Sequence, residues 1–203
     1  MELYDKLTAI YPAEHFSTST TQTVIDEEDH LAITRAVTFE HSGIEVLKID
    51  KTLFVLVRDA SQVISSSTNP VKVCDGAIAS EIPSHFIGYV ELKSKCSQNE
   101  VLKARSQIMA SRHHMLTIAQ DCAISLTDYV QKGIIITQPI ADETLTKARQ
   151  RRQRDDDLKV VNSSSRFLLK LIEGKAKDED TGICFVHAVV TGTGVIQLKD
   201  FLL

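Results

Sequence analysis

Between Val71 and Leu126 the hydrophobic period changes once, and that change constrains the fold class more than anything else in the chain. From Val71 to Lys95, VKVCDGAIASEIPSHFIGYVELKSK, the apolar residues fall into two short blocks around a turn centred near Ile82. This is the signature of two neighbouring strands. From Gln98 to Leu126 the period becomes helical, with Leu102, Ile108, Met109, Met115, Leu116, Ala119 and Ala123 recurring on one side. Neither Gly nor Pro interrupts this stretch, which reads as one helix or as two joined by a bend. Strands followed by a long helix place the chain in the α/β class.

The flanking segments are read in the same way. Residues 1–12 are expected to form a short amphipathic helix carrying Leu3, Leu7 and Ile10, ended by Pro12. FSTSTTQT is expected to be a loop. Asp26 to Ala36 is read as a helix with an acidic first turn, or alternatively as the lead-in to a hairpin. Val37–Glu40 and Ile44–Ile49 are expected strands around a His-Ser-Gly turn, and Leu53–Val57 a buried strand. Residues 61–70 are expected to be a loop. After Gly133 comes another strand, Ile134–Thr137, closed by Pro139. Residues 141–159 are so charged that they read as an exposed helix or a linker. Arg166–Ile172 is expected to be helical, and Ile183–Val190 with Val195–Leu198 to form a terminal hairpin. No internal repeat or domain boundary is visible. The expectation is one α/β domain over 1–203 with its core at about 37–140.

A chain of 203 residues with a formal net charge of −4 is not a globally basic nucleic-acid coat, although local basic patches remain open to it. Trp is absent and aromatics are few, which argues against broad base-stacking platforms. Cys74, Cys96, Cys122 and Cys184 are widely spaced with no C-x-x-C, so free thiols in a reducing compartment are expected rather than a zinc site. No run of about 18 apolar residues exists, and the N-terminal segment lacks the apolar core of a secretory signal. A cytoplasmic location without membrane insertion is the resulting expectation.

The chemistry concentrates on the two strands. Side chains alternate along a strand, so Glu91 and Lys93 share a face while Val90 and Leu92 point the other way. A turn near Ile82 sets Asp75 across from Tyr89 or Val90, within cross-strand reach of Glu91. Two carboxylates that close repel one another unless something neutralises them. A hard divalent cation does so, and Mg²⁺ (or Mn²⁺) binds through one or two carboxylates, keeping positions for water and phosphate oxygen. A lysine beside it can orient an attacking water or stabilise charge developing on a phosphate.

Asp75 followed by Glu91-Leu92-Lys93 resembles the PD-(D/E)xK nuclease superfamily, in particular small bacterial members with a strand–strand–helix core. The resemblance centres on residues 71–110. It implies a mixed sheet flanked by helices and metal-dependent phosphodiester hydrolysis, more readily of DNA than of RNA. Asp75 and Glu91 are then metal ligands, and Lys93 the catalytic lysine. A further acid from a preceding segment would be Glu28 or Glu27. Gln107 resembles the helix-borne polar residue that some members hold near the site. Cys74 stands where the motif name places a proline.

Lys95, Lys103, Arg105 and Arg112, with Gln107, are the candidate nucleic-acid contacts, against ordinary helix-surface charge. Lys147 to Arg154 is better read as a solvated, salt-bridged helix, because Asp155, Asp156 and Asp157 cancel its charge. The plain reading of Asp75, Glu91 and Lys93 is a solvated strand face with an ion pair. The alternative function on the same fold is a catalytically inactive module that binds nucleic acid or protein. Either is compatible with a homodimer.

Overall fold

The computed structural model describes residues 1–27, 32–34, 36–65, 72–157, 164–191 and 193–202, the side chains of 61–65 excepted. In chain order the elements are α1 (Glu2–Thr8), β1 (Phe16–Ser19), β2 (Gln22–Asp26), β3 (Ala36–Glu40), β4 (Val46–Asp50), α2 (Lys51–Ser65), β5 (Gly76–Ser80) and β6 (Phe86–Lys93). They continue with α3 (Gln98–Asp121), β7 (Val130–Thr137), α4 (Asp142–Asp157), α5 (Ser164–Ile172), β8 (Cys184–Val189), β9 (Gly194–Gln197) and α6 (Lys199–Leu202).

The strands form a six-stranded sheet in the order β1-β4-β5-β6-β7-β8 and a three-stranded sheet in the order β2-β3-β9. In the larger sheet β1, β4, β5 and β6 pair antiparallel, then β6, β7 and β8 pair parallel, so it is mixed and the protein is α/β. Alternation along each strand divides the core in two. On one face Leu47, Ile49, Ala77, Tyr89, Ile135 and Phe185 pack with apolar residues of α1, α2, α3 and α5. On the other, Val46, Ile78, Val90, Ile134 and Ile136 pack against Ile25, Val37 and Phe39 of the small sheet and against Phe201 of α6. Among the described residues, no helix is long and apolar enough to cross a membrane.

Local chemistry explains the elements that frame the site. Ser97 caps α3, its Oγ accepting from the Glu100 backbone N–H at 3.3 Å; Ser-x-x-Glu is the sequence of a capping box. The helix then runs unbroken, burying Val101, Ala104, Ile108, Ser111, Met115 and Ile118 along one stripe. Gly76 lets β2 close on β5: a Cβ there would meet Ile25 Cδ1 at 3.1 Å and Ile49 O at 3.2 Å.

Several sequence expectations are corrected. Leu53–Val57 lies in α2, where Leu53, Phe54 and Val57 are buried and Leu56 is exposed. A short apolar run fits either period, and the deciding signal is Asp50, whose Oδ1 accepts from Thr52 N–H (3.0 Å) and Thr52 Oγ (2.8 Å) as a helix N-cap. Residues 61–65 belong to the same helix, and 66–71 lie outside the described residues. FSTSTTQT contributes to β1 and β2, with Thr23 and Ile25 turned into the interior. Asp26 and Ala36 pair across β2 and β3, as the hairpin alternative required, while 28–31 and 35 lie outside the described residues. The strands around His41-Ser42-Gly43 part into different sheets. So do β8 and β9, which do not pair with each other: β8 adds to β7 and β9 to β3. Residues 142–157 are the helix α4, which buries only Ala148.

Candidate functional site

Asp75 sits one residue before β5, and its N–H donates to Val90 O at 3.0 Å. The register pairs Gly76 with Val90, and their chain neighbours Asp75 and Glu91 line the same cleft. By alternation both carboxylates project from the helix-covered face, with Ala77 and Tyr89. Lys93 follows two residues on, on the same side. The structure thus brings Asp75, Glu91 and Lys93 together, and α3 crosses above them.

The site is not a solvated strand face. Glu91 is fully buried and Asp75 is 5% exposed. The Lys93 ammonium pairs with Glu91 Oε1 and donates to Gln107 Oε1 at 3.0 Å. Gln107 Nε2 in turn donates to Val73 O at 3.1 Å, which fixes the orientation of its amide. One turn further along α3, buried Ser111 accepts from Cys74 N–H at 2.8 Å. Gln107 and Ser111 therefore clamp the backbone that delivers Asp75. Asp75 Oδ2 accepts from Leu92 N–H at 2.7 Å, and Oδ1 lies 3.6 Å from Lys51 Nζ.

Electrostatics at this point are strained by burial. Burial pushes the Asp75 carboxyl up to about 6, with the charge of Glu27 adding to the shift and the Leu92 N–H, Lys51 and Lys93 opposing it. Burial, and then the charge of Asp75, push the Glu91 carboxyl up to about 8, against the pull of Lys93. Glu91 Oε2 is buried with no hydrogen-bond partner. A buried, unpartnered carboxylate oxygen beside a second carboxylate fits a hard cation, which favours the ionised form of both acids. Among the described residues, no group of three or more His, Cys, Asp or Glu side chains gathers at metal-binding spacing. Glu28 lies outside the described residues; Glu27, just past β2, lines the same cleft.

The cleft above the pair has a volume of about 860 Å³. Lys51, Val55 and Arg58 of α2 form one wall, Glu100, Lys103 and Gln107 of α3 the other, and Lys72 stands on the approach to Asp75. Lys51, Arg58 and Lys72 carry no signal of a site in the sequence pattern. The first two share a helix face at i and i+7, a spacing that has meaning only once this segment is helical. Lys103 is exposed on the cleft wall and paired with Glu100 at 2.7 Å. Lys95 is exposed in an adjoining groove, which shares Glu27, Lys93 and Glu100 with the cleft. Arg105 does not join them. It points to the other side of α3, bonded to Asp178 Oδ2 at 2.7 Å with its guanidinium 5.3 Å from the Phe167 ring centroid. Two residues along a helix turn a side chain by about 200°, which explains why Arg105 and Lys103 diverge. Arg112 is likewise absent from the cleft lining.

Other polar clusters are structural. Thr137 Oγ donates to Gln138 O (2.7 Å) and meets His187 Nε2 at 2.9 Å, with the buried Cys96 thiol 3.9 Å from that nitrogen. Burial pushes the Cys96 thiol up and His187 down, keeping both neutral. The arginines of α4 are exposed, with Arg152 paired to Asp156 and Lys147 to Glu143. Comparison with known protein families, curated proteins and solved structures finds no match to this chain.

Proposed function

We propose that the protein is a divalent-metal-dependent nuclease that hydrolyses phosphodiester bonds, in DNA by preference, on a site resembling that of PD-(D/E)xK enzymes. The observation that carries this reading is the buried Glu91 carboxylate, with Oε2 unpartnered, lining together with Asp75 a cleft walled by Lys51, Arg58, Lys72 and Lys103. Asp75 and Glu91 are the residues that would hold Mg²⁺ or Mn²⁺. Such an ion, when bound, supplies positive charge for a phosphate oxygen and acidifies a water. Lys93, held between Glu91 and Gln107, keeps an ammonium beside the carboxylates, where it can orient the attacking water or bind a phosphate oxygen. Gln107 acts through Lys93 and is a positioning residue. The lysines and arginine on the walls, with Lys95 beyond them, offer contacts to a phosphate backbone.

One observation favours the second reading, an inactive binding module. Each carboxylate already has a lysine, Lys51 on Asp75 and Lys93 on Glu91, so the acids are partly neutralised from within. The two readings separate on plasmid and single-stranded DNA incubated with Mg²⁺, with Mn²⁺ and with EDTA, beside Lys93→Ala. Cleavage that needs the metal and falls by about 100-fold or more in the variant is the expected result. No cleavage under any condition, together with no rise in melting temperature on adding metal, would sink the nuclease and leave the binding module.

A further inference from the structure

One row of residues crosses the ends of three strands. Asp50 pairs with Gly76 across β4 and β5, and Gly76 with Val90 across β5 and β6. Lys51, Asp75 and Glu91 are the residues next to these in the chain. Lys51 is the first residue of α2 and follows β4 with no loop between them, since β4 ends at Asp50. Its side chain is only 20% exposed, and its ammonium faces Oδ1 of Asp75, the oxygen not taken by Leu92 N–H. That is the oxygen a cation would use.

We infer that Lys51 is a resident counter-ion that competes with the divalent cation for Asp75 and so sets the metal affinity of the site. The inference rests on the metal-site reading above. An ammonium and a divalent ion on one carboxylate oxygen repel strongly in a partly buried site. Cation binding therefore requires the ammonium to move off Asp75. The Lys51 stem is rooted in the first turn of α2, beside Val55 and Arg58 on the cleft wall. A displaced ammonium lands in the cleft, where an anionic substrate would lie. Metal and phosphate binding are then coupled, each favouring the other, because the first releases the charge that the second meets.

Lys93 is tied to Gln107 as well as to Glu91, and Gln107 is itself held by Val73 O.

The test is Mn²⁺ titration calorimetry on the metal-stripped full chain at low ionic strength, for the wild type, Lys51→Met, Lys51→Arg and Asp75→Asn. Removing the charge is expected to tighten Mn²⁺ binding on the order of tenfold, while the arginine variant stays within about twofold of wild type. Asp75→Asn is expected to abolish binding. Lys51→Gln stands in if the methionine variant lacks the wild-type circular dichroism. Wild-type binding that depends on Asp75 but is not tightened by Lys51→Met overturns the role of Lys51 and leaves the metal site standing. Equal tightening in the methionine and arginine variants also overturns it, because charge is then not the cause. No Mn²⁺ binding in wild type and Lys51→Met alike overturns the metal-site reading itself, and the inference with it.

Discussion

Glu91 is the residue on which most of the chemistry turns, and its protonation has a measurable consequence. Burial and Asp75 raise its folded value to about 8, and burial with Glu27 raises Asp75 to about 6, whereas unfolded carboxyls titrate near 4. Between those values the folded protein holds more protons than the unfolded chain, so stability is greatest at acid pH and falls as pH rises through the window. The metal-free protein is therefore expected to lose stability between about pH 5 and pH 8, measured by urea unfolding in EDTA. Glu91→Gln is expected to flatten that slope. His114 and His187 are depressed and pull the other way, but both are present in either protein, so the difference between the two curves reads Glu91. A wild-type and a Glu91→Gln profile that superimpose would show that the glutamate does not titrate as its surroundings dictate. The spacing of Glu91 and Lys93 on one strand face was legible in the sequence. Full burial was not, because the cover comes from α3, whose packing no local pattern encodes.

At the scale of elements, α3 positions the site and α2 completes it. Ser111→Ala removes the buried acceptor for Cys74 N–H and is expected to cost about 1–3 kcal/mol in thermal or urea unfolding. Gln107→Ala is expected to lower any cleavage rate more than it lowers stability, because it frees Lys93 and touches only one backbone carbonyl. Equal losses of rate and stability would make Gln107 a packing residue. Asp50→Ala deletes the cap of α2 and is expected to cost about 1 kcal/mol. The long helix was legible because its stripe spans many turns without Gly or Pro. Leu53–Val57 was not: five apolar residues carry no period, and Asp50-Lys-Thr, the real signal, reads equally well as a strand end. That single misreading hid Lys51 and Arg58. Arg105 shows the converse limit, since a basic residue on the right helix still faces the wrong way.

On the scale of the whole molecule, the six-stranded sheet is covered by helices on one face and by a second sheet on the other. The α/β class follows from the strand and helix periods. The second sheet does not, because β3 and β9 meet across more than 150 positions of chain, from Val37 with Gly194 to Glu40 with Gln197. Phe39 is the fully buried centre of that layer, with Phe201 edge-on at 6.1 Å. Phe39→Ala is expected to destabilise by about 3–5 kcal/mol, seen as a lower urea midpoint. On the metal-site reading, and because β2 ends one residue before Glu27, this loss is also expected to weaken Mn²⁺ binding at the cleft. An unchanged affinity would show that the two faces act independently.

The row Lys51, Asp75 and Glu91 bears on how such a gene can vary. The three residues adjoin Asp50, Gly76 and Val90, which two antiparallel registers bring together, and a slip of one residue turns each strand side chain to the opposite face. Point substitutions in these strands leave the alignment intact. Loss or gain of a single codon within β4, β5 or β6 destroys it at one stroke, whereas one in the segment between α3 and β7 leaves all three strands in phase. A reading-frame-preserving indel map of this gene should therefore show three short intolerant windows that together outline the site without any chemistry being measured.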